Sequence, residues 1–197
     1  MLVPIKAFGD AKARLAAVLG DADRERLARW TAARVLAAAG ELPTYVACDD
    51  EQVAAWAGEH GATILWHPGV GLNAAVNDSV AQLRDAGVTN VVVAHGDLPR
   101  AHSLAALAAP NTVTLVPDRH GDGTNVIALP TDVSFRFAYG PGSFRRHLAA
   151  AIHAGHSVRV RRDPLLAADI DTPADLTHPL VQEVLPAWLQ TNLASRP

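Results

Sequence analysis

The sequence predicts one α/β domain of three layers, a mostly parallel sheet with an antiparallel excursion and helices on both faces. Three observations carry this. Short apolar runs alternate with helical stretches from the N-terminus to about residue 116, the pattern of right-handed βαβ crossovers. The run Val91-Val92-Val93-Ala94 is apolar at every position, as a strand covered on both faces requires. After Pro117 two strand-like runs follow each other with only Pro130-Thr131-Asp132 near their junction, too little chain for a parallel crossover.

Taken in order, a first strand is expected at 2–7. Asp21 and Asp23 open a helix to Ala39, and Gly40 supplies its stop. A short strand at 44–47, a helix at 50–60 and a strand at 62–66 follow. Residues 72–86 carry Ala75, Val76, Val80 and Leu83 near helical spacing, with Gly87 as terminator. Strand 91–94, a short helix at 103–109 and strand 112–116 complete the regular part. Beyond it, 125–129 and 134–138 read as strands, 143–154 as a helix and 158–161 as extended. A short helix begins at Thr172-Pro173, and a last one covers 179–189.

With 197 residues, 49% of them hydrophobic, the chain can bury one full core. No repeat or low-complexity linker divides it, so a single domain over 1–197 is expected, with 178–197 as a C-terminal helical tail. A net charge of −3 argues against a protein that coats nucleic acid. The helical stretches are broken by Arg, Asp and Glu, and no basic leader precedes an apolar run, so neither a membrane span nor a secretion signal is expected. Cys48 is the single cysteine; it reads as a small buried apolar residue, and a reducing, cytoplasmic compartment is the simple reading. Of 17 basic side chains only Lys6 and Lys12 are lysines, both within the first dozen residues.

Chemistry is expected at the carboxyl ends of the strands, where open α/β sheets bind ligands. Asp97 follows the fourth strand, and Leu98-Pro99 turns the chain away from it. By position alone it serves equally as a turn aspartate or as a ligand. In "DIDTPADL", Thr172 and Asp175 have sufficient work in capping a helix that starts at Pro173. Asp169 and Asp171 do not, and in extended chain both face one side. Together with Asp97 they would make an all-oxygen site suited to Mg²⁺ and a phosphate-bearing ligand. An Asp-x-Asp phosphatase nucleophile is discounted, because Pro173 and the late position do not suit it.

Two glycine-rich stretches, "PDRHGDGTNVIAL" and "YGPGSFRRH", offer backbone amides to an anion. Ser143 reads as a helix cap or as a phosphate ligand, capping being the stronger reading in isolation. Arg145, Arg146 and His147 place positive charge in a first helical turn, against the dipole, and a nearby anion would account for them. Lys6, Gly9, Lys12 and Arg14 follow the first strand without matching a Walker or Gly-x-Gly-x-x-Gly pattern. The nine histidines show no zinc-like pairing. His95, His120 and His147 read as packed or surface residues, His95 being near enough to Asp97 to lie in a site.

Six stretches in order, "VPIKAFGDAKARLA", "GLNAAV", "GDLPR", "PDRHGDGTNVIAL", "YGPGSFRRH" and "DIDTPADL", spanning Val3 to Leu176, resemble the 2-phospho-L-lactate and phosphoenolpyruvate guanylyltransferases of coenzyme F420 biosynthesis. The resemblance implies a Rossmann-like nucleotidyltransferase fold of the molybdenum-cofactor guanylyltransferase type. It implies that GTP and a phosphorylated three-carbon acid give a guanylyl diphospho-acid and pyrophosphate. Metal aspartates would fall on Asp97, Asp169 and Asp171, with Mg²⁺ held chiefly by Asp97 and Asp171. The acid's phosphate would meet Thr124, Gly140 and Ser143. Lys6, Lys12 and Arg14 would serve the nucleotide, Lys12 and Arg14 stabilising the departing pyrophosphate, and the base would lie near Gly71, Leu72 and Asn73. Gly96 departs from the family's usual Ala before the aspartate, and is expected to widen the pocket locally.

Two rivals stand beside this reading. One is a related nucleotidyltransferase that acts on a pterin or a sugar phosphate, disfavoured by the missing glycine-rich first loop. The other is a non-catalytic nucleotide-binding regulator, disfavoured by intact carboxylates. The acceptor acid and the oligomeric state are not legible in the sequence, which is compatible with a homodimer.

Overall fold

A computed structural model of the chain describes residues 1–194; the last three residues of the expected tail lie outside the described residues. Seven strands form one sheet: β1 (Leu2–Pro4), β2 (Tyr45–Cys48), β3 (Thr63–Trp66), β4 (Asn90–Ala94), β5 (Thr112–Pro117), β6 (Thr124–Pro130) and β7 (Ser157–Val160). Their order across the sheet is β3-β2-β1-β4-β6-β5-β7. Only β6 runs antiparallel to its neighbours β4 and β5, so the antiparallel excursion is a single strand.

The helices are α1 (Asp21–Ala37), α2 (Glu51–Glu59), α3 (Gly71–Asp85), α4 (Ser143–His153), α5 (Pro173–Leu176), α6 (Pro179–Gln182) and α7 (Ala187–Ala194). Of these, α1, α2 and α5 begin where the sequence leads one to expect. Asp21 and Asp23 occupy the first turn of α1, where the dipole favours acids. Asp50 caps α2 by accepting the Val53 N–H at 2.9 Å. Thr172 and Asp175 form a capping box on α5, with Pro173 at its start. The helix expected at 179–189 is two helices, because Pro186 removes the N–H that continuity needs. The helix expected at 103–109 shortens to the 3₁₀ turn Leu104–Leu107.

Alternation along the strands divides the core. Val3, Val46, Val92 and Ala94 pack with α1 and α2. Leu2, Val91, Val93 and Ile127 pack with α3 and α4 on the other face. A third cluster unites Leu15 and Leu19, Leu27 of α1, Ala168 and Ile170, and the C-terminal Leu176, Val181, Leu185 and Leu189.

The expected strand at 134–138 is absent. Val133, Phe135, Phe137 and Tyr139 do alternate into the core beside α3, so the apolar period is real. Their backbone, however, pairs with side chains. Phe137 N donates to Asn77 Oδ1 at 3.0 Å and Tyr139 N to Asn73 Oδ1 at 2.7 Å. The segment is therefore tied down along α3 and joins no ladder.

Candidate active site

The strand order reverses direction between β1 and β4, the switch point at which such sheets open a crevice. A cavity of 620 Å³ opens there, and Lys6, Lys12, Arg14, Asp97, Asp169, Asp171, Thr124, Gly140 and Ser143 all line it. Residues separated by up to 165 positions in the chain thus share one space, as the motifs require.

Asp97 lies just past β4 and is anchored by its own backbone, since Ile170 N donates to Asp97 O at 3.1 Å. The same bond brings the acidic segment to the floor of the cavity. Ala168 and Ile170 turn into the third core cluster, so Asp169 and Asp171 both face the cavity. The capping box fixes this segment further: Asp175 Oδ2 accepts from Asp171 N at 2.8 Å and from Thr172 N at 2.6 Å. Burial alone would raise the Asp175 pKa, but these donors and the Arg119 ion pair hold it below the ordinary carboxylate value.

Lys12 reaches the same floor. Its backbone sits in the left-handed region at φ 58°, a conformation that non-glycine residues adopt mainly where surrounding structure enforces it. Its side chain is 6% exposed and its ammonium lies 3.3 Å from Asp97 Oδ2, also donating to Ile170 O. Burial opposes the charge on Asp97, yet the Lys12 ammonium and His95 hold its pKa below the usual range. Asp169 is the reverse: burial, then the charge of Asp97, push it up to about 7. Two carboxylates compete for one region of positive potential, and the one with Lys12 keeps its charge.

The three-carboxylate centre expected from the sequence does not form. Among the described residues no group of three His, Cys, Asp or Glu side chains is placed to hold a metal. Asp171 is instead drawn to Arg14, whose guanidinium it meets at 2.8 Å on the exposed rim. The neighbouring pair is Asp97 with Asp169. That pair fits Mg²⁺, which keeps waters and is commonly bound by one or two carboxylates plus substrate phosphates. Asp97 Oδ1 is buried without a hydrogen-bond partner, an acceptor in want of a cation.

The opposite wall is organised by hydrogen bonds to backbone groups. The β5–β6 connection is folded on Asp118, which accepts from Asp122 N at 3.0 Å and Gly123 N at 2.8 Å. A Cβ on Gly123 would stand 2.6 Å from Asp118 Oδ2, so a side chain there would displace the carboxylate that folds the loop. Asp122 in turn accepts the Gly142 N–H at 2.9 Å and locks this loop to the start of α4. Gly140 and Gly142 take φ 118° and 71°, which lets the chain swing Ser143 into the cavity. Ser143 is not a cap: the N-cap is Gly142 and no side chain caps α4. Its hydroxyl lines the cavity instead.

Other expectations are revised here. Arg146 does not await an anion; its guanidinium clamps the carbonyls of Ala138, Gly140 and Pro141. Asn73 spends its amide on both backbone groups of Tyr139; it lies outside the cavity of Asp97 and lines a neighbouring one with Gly71 and Leu72. Gly71 and Leu72 line an adjoining 170 Å³ pocket with Lys6, Cys48 and Asp49. A methyl on Gly96 would touch Val3, Ile5 and Ala32 at 3.7–3.8 Å, so the missing side chain faces packed residues and does not widen the cavity. His95 does line the cavity, its ring against Tyr139. The roles of Asp118, Asp122, Asn77 and His147 were not read from the sequence, because most of their partners are backbone groups, which leave no mark in residue type.

No helix among the described residues is long and apolar enough to cross a membrane. A crystal structure from Desulfovibrio desulfuricans G20, assigned as a nucleotide-diphospho-sugar transferase, shares the fold with a TM-score of 0.74 at 19% identity, covering 98% of this chain and 91% of that one. A phosphoenolpyruvate guanylyltransferase of Sphaerobacter thermophilus is 35% identical over 184 residues, 89% of each chain. Another of that name, from Conexibacter woesei, is 37% identical over 187 residues, 89% of this chain and 84% of the relative. The family described as guanylyl transferases, CofC like, matches residues 1–183. This chain belongs to that family, and it is a nucleotidyltransferase of the guanylyltransferase kind.

Proposed function

We propose that the protein transfers the guanylyl group of GTP to the phosphate of a three-carbon phospho-acid, phosphoenolpyruvate foremost, and releases pyrophosphate, a step of coenzyme F420 biosynthesis. The acceptor is supported by the names of the two relatives. The observation that carries the reading is the charged floor, Asp97 and Asp169 beside Lys12, facing a wall of neutral donors across one cavity.

The chemistry needs no protein nucleophile. An oxygen of the acceptor phosphate forms a bond to the α-phosphorus of GTP, and the bond from that phosphorus to the β-phosphate oxygen breaks. Catalysis is then positioning and charge neutralisation. Asp97 and Asp169 would hold Mg²⁺, which when bound screens the negative charge of the two phosphates. Lys12, fixed at the floor, offers a point charge, and Arg14 at the rim offers a fork suited to a departing pyrophosphate. Lys6 stands at the junction of the two pockets, where it would meet the nucleotide. Thr124, Ser143 and the backbone about Gly140 would hold the acid. GTP with Mg²⁺ and phosphoenolpyruvate, 2-phospho-L-lactate or 3-phosphoglycerate in parallel, read by pyrophosphate release, tests this. Release with phosphoenolpyruvate is expected. GTP binding with no release from any of the acids would sink the reading.

A further inference from the structure

His147 lies wholly buried behind the wall that carries Thr124 and Ser143. Its Nδ1 is 3.0 Å from Thr124 Oγ1, and its Nε2 is 2.8 Å from Ala138 N. A backbone N–H can only donate, so Nε2 must present its lone pair to Ala138. In the neutral ring the proton then resides on Nδ1, where it donates to Thr124. The rings of Phe135, Phe137 and Tyr139 surround the imidazole with centroids 5.0–6.4 Å away, leaving it no other arrangement of partners. Burial, aided by Arg146 and His95, lowers its pKa to about 4, so it is neutral in ordinary buffers.

A threonine hydroxyl has one hydrogen to give and two lone pairs. With a lone pair filled from His147, its hydrogen is left to donate, and among the described residues no acceptor of the protein takes it. Thr124 is a cavity-lining residue. We infer that His147 is a positioning residue that fixes the direction of the Thr124 hydroxyl, making it an obligate donor to an anionic oxygen of the acceptor acid. The tautomer thereby shapes the wall: a carboxylate or phosphate oxygen is welcomed there, and a hydroxyl or amide that needs an acceptor is not. The identity of that anion rests on the proposed reaction; the placement of the proton does not.

Two measurements separate these. Long-range ¹⁵N NMR of the wild-type protein at pH 7 reports which ring nitrogen of His147 carries hydrogen; Nδ1–H is expected, and Nε2–H overturns the inference whatever the substrate. Kinetics then test the consequence. An asparagine places its amide nitrogen near Nδ1, whereas a glutamine places its amide oxygen near Nε2. His147→Gln keeps the Ala138 bond and loses the Thr124 bond, and should raise KM for phosphoenolpyruvate about tenfold with KM for GTP unchanged. His147→Asn should recover most of that loss, and His147→Gln should add nothing in a Thr124→Val background. Equal defects in the two His147 variants, or additivity with Thr124→Val, overturn the inference. A wild-type protein with Nδ1–H that releases no pyrophosphate with any phospho-acid refutes the reaction proposed above and, with it, the anion assigned to Thr124.

Discussion

The floor and the far wall of the cavity are built by opposite means. On the floor, charges oppose one another: Lys12 compensates Asp97 while Asp169 is left to repel it. On the wall, Thr124, Gly140 and Ser143 are held by hydrogen bonds that join Asn73, Asn77, Asp122 and His147 to backbone or hydroxyl groups, with no ion pair among these bonds. The floor is electrostatically unfinished and gains by taking up a cation and phosphates. The wall is finished already, its donors aimed before anything binds, and so suits recognition of a small rigid anion.

The comparison makes its largest prediction for the floor. Asp97→Asn should lower turnover by about a hundredfold or more, several kcal/mol of transition-state stabilisation. Because it leaves the buried Lys12 ammonium without its counter-charge, the melting temperature should fall while the fold is retained. Pyrophosphate release and circular dichroism on the same sample check both. A variant that unfolds would place Asp97 with the structural residues and erase the distinction between the two surfaces.

A smaller effect is expected from pH, and it belongs to the wall. The folded pKa of His147, about 4, lies below the ordinary 6.5. Between these values the unfolded chain binds a proton that the folded chain refuses. Stability is therefore complete above about pH 6.5 and declines as the pH falls toward 4, by on the order of 3 kcal/mol from this group. Thermal melts from pH 7.5 to 4 should show a shallower decline in His147→Asn than in the wild type. Parallel slopes would mean that the imidazole is not held neutral.

The smallest effect sharpens the contrast. Asn77→Ala removes the amide that pairs with both backbone groups of Phe137, and should cost about 1–2 kcal/mol of stability. It should raise KM for the acid more than it lowers kcat, since the loop it tethers carries Tyr139 and Gly140 and no charged group of the floor. A loss confined to kcat would contradict the division.

The same division explains what the sequence made legible. The half of the sheet from β1 to β4 follows the alternation of apolar runs and helices, because each strand there is paired within a regular βαβ unit. Asp97, Lys12 and the Asp169–Asp171 segment were readable as chemistry, since charged residues outside the regular elements have few structural duties. Residues 134–138 were misread as a strand although their apolar alternation was read correctly: periodicity reports which side chains are buried and is silent on what the backbone bonds to. The partners Asn73 and Asn77 lie 60–66 positions away on α3, and nothing local in either segment announces the match. Likewise Arg146 and Asp171 looked unspoken for in one dimension, and in three dimensions each has a partner within hydrogen-bonding range.

The third apolar cluster joins Leu15, one turn past Lys12, and Ile170, between the two cavity aspartates, to Leu185 and Leu189 near the C-terminus. The loop bearing the ammonium and the segment bearing the acids thus rest on one shared keel, and the trailing helices are its ballast. Damage to those helices would be felt first as a drift of Lys12 against Asp169, a loss of catalytic alignment in a protein whose sheet stands untouched.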